Sequence, residues 1–317
     1  MRFQIDEPLV VIVGPTAVGK SEIAVRVAEK FGGEIVSADS CSLYKGMDIG
    51  TDKPDILNQK KIKHHLIDVA EPDAVWGVSV YKNVAMECIK KIHANHKLPI
   101  LVGGTGQYVH AIIRNWKIPE VEPNERMRSF LTKWADEIGN EGLLKKLSLI
   151  DSTAAGEIDA RNLRRIIRAI EVPLITGIKF SANRGDRLPL YNTKIIGIIR
   201  PRKELYERID QRIDRMISRG LVDEVKQLLA KNYSPELPSF SAIGYKEIAD
   251  HLFGNISLAE AIQLMKKRSR IFVRRQANWF KLTDPKIKWF QVDRTVVERI
   301  SSYIESEEGW LSKSNAA

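Results

Sequence analysis

The chain has 317 residues, 44% of them apolar and 28% charged, a balance that excludes a disordered or fibrous chain. Its length suits one large domain with an insertion, or two domains. Lysine and arginine number 50 against 40 acidic residues, a net charge of +10 that suits a polyanionic partner such as nucleic acid or serves solubility alone.

The first apolar run, Leu9–Val13, is too short for a signal-peptide core or a membrane span and predicts a buried strand. After a glycine-rich turn, Ser21–Phe31 carries apolar residues at Ile23, Ala24, Val27, Ala28 and Phe31, which is helical spacing. Glu34–Ala38 and His65–Val69 read as strands, Val80–His93 as a helix, and Leu98–Val102 as a further strand closed by Gly103 and Gly104. Alternation of this kind with apolar strands predicts an α/β fold, a parallel sheet covered on both faces. From Trp116 to Pro189 no strong strand is visible. Glu125–Ile138 and Asn162–Ile170 read as helices and Ile178–Pro189 as a loop, so this stretch is a helical insertion. Lys194–Ile199 restores a strand. A long helical pattern then runs from Glu204 to Lys231, broken or bent near Gly220, and another from Leu258 to Leu282, before a last strand at Lys288–Val292. The expected division is residues 1–115 as the first part of the core, 116–190 as the insertion, and 191–317 as the second part with C-terminal helices. Two cysteines, Cys41 and Cys88, give neither a disulfide framework nor a zinc spacing and fit a reducing, cytoplasmic setting.

Gly14, Pro15, Thr16, Ala17, Val18, Gly19, Lys20 and Ser21 spell G-x-x-x-x-G-K-S between an expected strand and an expected helix. The glycines let backbone N–H groups turn toward phosphate oxygens, and the helix N-terminus adds its positive dipole end. Lys20 supplies a point charge, and the Ser21 hydroxyl suits Mg²⁺. The motif indicates phosphate without saying which compound. Asp39 stands at the end of the second strand, where parallel sheets place their ligand crevice. A carboxylate beside phosphate can bind Mg²⁺, act as a base on an acceptor, or simply cap a turn. Thr105, in GGTGQY, offers a hydroxyl to the same crevice. The run KKRSRIFVRR at 266–275 interleaves charge with apolar residues, as an RNA-facing or a solvated amphipathic helix would.

The segments GPTAVGKS, ADS…YKGMDIGTDKP, HHLID, LVGGTGQY, GIIRP, LYERIDQRIDRMISRGLVDEV, AIGYKE and RRQANWF follow one another between Pro8 and Phe280. Together they resemble the tRNA dimethylallyltransferases, the bacterial tRNA isopentenyltransferase family. The resemblance implies a P-loop NTPase-like core with a helical, tRNA-binding insertion. It implies transfer of a dimethylallyl group from dimethylallyl diphosphate to the exocyclic amine of the adenosine just 3′ of the anticodon, assisted by Mg²⁺. The family's general base matches Asp39, and Thr105 matches the residue that contacts the reacting groups and the bridging oxygen of the diphosphate. Gly14 to Ser21 and Arg212 match its diphosphate contacts. Its tRNA contacts match Asp39, Ser40, Cys41, Ser42 and Thr105, then Arg126, then Arg164, Arg165, Ile166, Ile167 and Arg168, and finally Ser241, Ala242, Ile243, Gly244, Tyr245 and Lys246. The target base would be extruded from its stack to meet the donor. A cytoplasmic monomer with no membrane association is expected.

This chain departs from the family pattern at Ser42, where many relatives carry Gln, at Asp52 in place of the common Ala, and at Gln107 in place of an apolar residue. A relative that prenylates free AMP, a small-molecule P-loop kinase and a non-catalytic RNA-binding protein are the competing readings, in that order.

Overall fold

Six segments pair into one sheet: β1 (Pro8–Val13), β2 (Glu34–Ser37), β3 (His64–His65), β4 (Pro99–Gly103), β5 (Asn192–Ile199) and β6 (Ile287–Gln291). Their order is β3-β2-β4-β1-β5-β6, and every pairing is parallel. This computed structural model describes residues 7–119, 121–183, 185–306 and 310. All six residues of β1 are buried, so both of its faces are covered, which is why PLVVIV shows no polar alternation.

The helices are α1 (Lys20–Phe31), α2 (Ile56–Lys61), α3 (Val78–Ala94), α4 (Gly106–Ile113), α5 (Glu125–Ile150), α6 (Ser152–Glu157), α7 (Leu163–Thr176), α8 (Arg202–Ser218), α9 (Leu221–Ala230), α10 (Tyr245–Leu252), α11 (Leu258–Trp279) and α12 (Val296–Glu305). The chain divides into two compact units, residues 1–113 with 189–317, and residues 114–188. The first holds the sheet and is a P-loop NTPase-like core. The second is helical, with a core of its own from Leu131, Leu143, Leu147, Ile166 and Ile170. Among the described residues no helix is long and apolar enough to cross a membrane.

Several elements differ from the sequence pattern for local reasons. The expected strand His65–Val69 pairs only at its start. Leu66 and Asp68 take left-handed φ values of 63° and 54°, and the N–H groups of Asp68 and Val69 turn to the carbonyls of Ser42 and Leu43. The helix expected to end at Ile138 continues to Ile150 through a kink at Gly139, whose φ is 77°. The pattern from Glu204 to Lys231 is two helices, parted at Gly220 with φ 98°, a conformation glycine adopts without strain. Five helices, α2, α4, α6, α10 and α12, had no expectation; all are short, ten residues or fewer.

The strand order positions the site. β2, β4 and β1 are neighbours, so the loops that leave their C-terminal ends emerge side by side. These loops carry Asp39, Thr105 and the phosphate loop. Gly103 fixes the closest approach: a Cβ there would stand 2.1 Å from the Ala38 carbonyl oxygen.

Candidate active site

The loop after β1 turns at Gly14, where a Cβ would lie 2.6 Å from the Ile198 carbonyl oxygen, and enters α1 at Gly19 with φ 102°. No side chain caps α1, so its first N–H groups remain for an anion. Lys20 Nζ donates to the Pro15 carbonyl at 2.7 Å. Burial lowers the Lys20 amine to about 8; the Asp39 carboxylate opposes that shift and Arg212 adds to it. Three side chains hold the loop from outside. Arg200 Nε donates to the Val18 carbonyl at 3.0 Å, and Arg208 Nε to the Ala17 carbonyl at 2.9 Å. Gln276 of α11 accepts the Thr16 N–H at 2.8 Å and donates to the Gly104 carbonyl at 3.1 Å, which ties the phosphate loop to the loop after β4.

Asp39 leaves β2 and accepts the Cys41 N–H on Oδ1 at 2.9 Å. Thr105 Oγ1 accepts the Ser40 N–H at 3.1 Å, so residues 39–42 are docked on the loop after β4. Burial, reinforced by Asp39, pushes the Cys41 thiol up to about 12, which leaves it a neutral lining group. Ser42 is buried; its hydroxyl donates to the Asp39 carbonyl at 3.1 Å and lies 2.9 Å from Ser37 Oγ. Its side chain therefore shapes the Asp39 turn from inside.

On α8, Arg208, Arg212, Arg215 and Arg219 recur at spacings of four, three and four, one helical face. Arg212 Nη1 donates to Thr16 Oγ1 at 2.8 Å and Nη2 to the Thr51 carbonyl at 3.3 Å; its Nε lies 3.2 Å from Asp52 Oδ2.

The DIGTDKP segment is anchored by residues that sequence reasoning did not single out. Glu224 accepts the N–H groups of Asp48, Ile49 and Gly50 at 2.9, 2.8 and 3.2 Å, and the Tyr245 hydroxyl at 2.7 Å. Lys53, with a side chain 4% exposed, donates to the Tyr44 carbonyl, Asp48 and Asp68. Three motifs that lie far apart in the chain are thus one network. Their only sequence signal is that a buried charge must find partners.

Two cavities open here. The larger, about 450 Å³, is polar and is lined by the phosphate loop, Ser21, Asp39, Thr105, Gln276 and the α8 arginines. The smaller, about 220 Å³, is lined by Ile209, Ile213, Met216, Ile243, Met265 and Phe272, with Ser40, Cys41, Ser241 and Ala242. Thr16, Asp39, Thr51, Arg212 and Phe272 line both.

The remaining candidates divide. Ser241, Ala242 and Ile243 reach the smaller cavity. Gly244 donates its N–H to Glu247, and Tyr245 is buried against Glu224, so neither offers a surface group. Lys246 pairs with Glu236 at 3.1 Å. In the helical unit Arg126, Arg164 and Arg165 are exposed. Ile166 and Ile167 are core residues there, and their side chains are packed in the unit's own cluster. Arg168 is half-buried and donates to buried Glu171 at 2.6 Å and to the Val121 carbonyl at 2.8 Å. Gln107 is exposed and lines neither cavity.

The family model described as IPP transferase matches residues 42–283, and that described as isopentenyl transferase matches residues 7–68. A tRNA dimethylallyltransferase of Thermomicrobium roseum is 41% identical over 96% of this chain and 94% of its own. One from a Roseiflexus species is 45% identical over 86% and 90%. The solved tRNA isopentenylpyrophosphate transferase of Bacillus halodurans is 38% identical, covers 98% of both chains and superposes with a TM-score of 0.72. A eukaryotic dimethylallyltransferase, solved acting on tRNA, superposes at 0.80 with 26% identity over 95% of this chain and 79% of its own. With similarity sustained along nearly the whole chain, and with the phosphate loop, Asp39 and Thr105 gathered at one sheet edge, this chain belongs to the IPP transferase family, the tRNA dimethylallyltransferases.

Proposed function

We propose that the chain transfers the dimethylallyl group of dimethylallyl diphosphate to the exocyclic amine of the tRNA adenosine that follows the anticodon, and releases diphosphate. The observation that carries this reading is the position of Asp39 on the wall shared by a polar and an apolar cavity. The polar cavity takes the diphosphate, on the loop N–H groups, Lys20 and Arg212. The smaller cavity takes the five-carbon fragment, and the adenine approaches beside Ser40, Cys41 and Ser241–Ile243.

The acceptor nitrogen attacks the allylic C1. The C1–O bond breaks with its electron pair leaving on the diphosphate oxygen, and the amine proton passes to the Asp39 carboxylate. Negative charge grows on the leaving oxygen, so fixed donors there accelerate departure; losing one such contact costs on the order of 10²-fold in rate. The apolar walls keep water from the cation-like allyl fragment. The Ser21 hydroxyl lines the polar cavity, and among the described residues no cluster of three or more His, Cys, Asp or Glu could hold a metal unaided. The Ser21 hydroxyl is the protein group here that would hold Mg²⁺. Such an ion would neutralise charge on the leaving group. In this reading the enzyme works in the cytoplasm as a monomer.

The test is incubation of the protein and Mg²⁺ with labelled dimethylallyl diphosphate and unmodified tRNA, free AMP, or neither. Label in tRNA alone is expected. Label in AMP alone moves the chain to a free-nucleotide role, and ATP consumption with small acceptors in place of label overturns prenyl transfer.

A further inference from the structure

Asp52 places a carboxylate on the wall of the cavity that takes the diphosphate, where it opposes an anion. Its Oδ2 lies 3.2 Å from Arg212 Nε, and its Oδ1 lies 3.7 Å from Arg219 Nη1. The adjacent cation, Lys53, is spent on Asp48 and Asp68. Among the described residues, the cations within ion-pair reach of Asp52 are therefore these two arginines. Asp52 has φ 54°, left-handed backbone that Asn or Gly would also adopt. The turn thus accounts for a short polar residue, and the charge is left for another purpose.

We infer that Asp52 is a positioning residue that serves as the internal counter-ion of Arg212, yielding the guanidinium to the donor's diphosphate and reclaiming it when the product leaves. Arg212 is already tethered to the phosphate loop through Thr16 Oγ1 and to the Thr51 carbonyl, so a small swing of Nε from Asp52 to a phosphate oxygen completes the exchange. With the carboxylate competing, Arg212 holds donor and product alike less tightly; without it both would be held more tightly. Uniform binding of that kind does not lower the barrier between them, and it slows release. Asp52 is 42% exposed and Arg212 23%, so the competition is a moderate one.

This inference rests on reading the larger cavity as a diphosphate site. The experiment titrates inorganic diphosphate with Mg²⁺ into wild type, Asp52→Asn, Arg212→Gln and the double variant, with melting temperatures as a folding control and transfer kinetics alongside. Asn tolerates the same backbone, so the turn is kept. Asp52→Asn is expected to bind diphosphate about fivefold tighter, with product inhibition tightened and the donor KM lowered to match, while kcat does not rise. In the Arg212→Gln background the same change should alter binding less than about twofold, because the exchange partner is gone. Unchanged or weaker binding by Asp52→Asn overturns the inference alone. A full fivefold tightening that persists without Arg212 overturns it too, since Asp52 then acts as a general repulsive charge. Failure of the wild type to bind diphosphate overturns the cavity reading, and the inference with it.

Discussion

The arginines of the two units are used in opposite ways. In the sheet-bearing unit Arg200 and Arg208 grip carbonyls of the phosphate loop, and Arg212 stands at the junction of two cavities. In the helical unit Arg128 and Arg168 converge on Glu171, which has no exposed side-chain surface, and Arg161 pairs with Asp159. The net charge of +10 says nothing of this division. In the helical unit a carboxylate that claims an arginine withdraws it from other anions, whereas in the sheet-bearing unit Arg212 lines its cavity with Asp52 beside it. That leaves Arg126, Arg164 and Arg165 as the exposed arginines of the candidate RNA face, without an ion pair among the described residues.

Breaking the site should have the largest effect. Asp39→Ala removes the proposed base, and transfer should fall about 10³-fold. Filter binding of tRNA should stay within a few-fold, because the Cys41 N–H that Asp39 accepts is a local turn bond. Near-normal turnover would remove Asp39 from the role of base.

Breaking the helical unit's charge network should show in stability. Burial alone would raise the Glu171 carboxyl, but hydrogen bonds from Arg128, Arg168 and the Asn124 N–H outweigh it and hold it below its ordinary value of 4.5. A carboxyl lowered on folding contributes stability that is fully present above its unfolded value and lost as pH falls through the folded one. Glu171→Gln should therefore cost about 2 kcal/mol at neutral pH, a figure reduced for guanidiniums that keep some exposure. Hydrogen exchange at α5 and α7 amides should rise in the variant, and in the wild type it should rise below the ordinary carboxylate range. Exchange in the variant equal to wild type would show that the network adds nothing net.

How much of this was legible depends on range along the chain. The phosphate loop was readable because its glycines, Lys20 and Ser21 act within eight consecutive residues. Asp39 and Thr105 were readable as residues at strand ends. Gln276 was not, because it meets Thr16 across 260 positions and no local pattern marks that pairing. Glu224 carries no local mark in the sequence, yet it gathers three N–H groups of the DIGT turn. Ile166 and Ile167 fell inside a basic run, but helical periodicity turns that stretch's apolar side into the core. The strand at His65–Val69 failed because the competing turn bonds to Ser42 and Leu43 are non-local. Gln276→Leu sharpens this point: without its bridge between Thr16 and Gly104 the phosphate loop loses its hold, and donor kcat/KM should fall about thirtyfold, mostly through KM. A change in kcat alone would place Gln276 nearer the reacting atoms than the cavity lining does.

The smallest effect tests the claim that unclaimed arginines are the binding ones. Arg164→Gln with Arg165→Gln removes two exposed charges of α7 that no internal carboxylate uses. Phosphate contacts contribute through counterion release, so affinity for tRNA should fall about tenfold at low salt, and the slope of log affinity against log salt should become shallower by about two. Arg161→Gln is the matched comparison. It carries the same formal charge, but its guanidinium is held by Asp159 at 2.6 Å. The pair is exposed and nearly neutral as a unit, so the slope should barely move. If all three arginines shift the slope alike, an internal ion pair does not withdraw a cation from the RNA face. The division between structural and binding arginines would then have to be drawn by exposure instead of by partner.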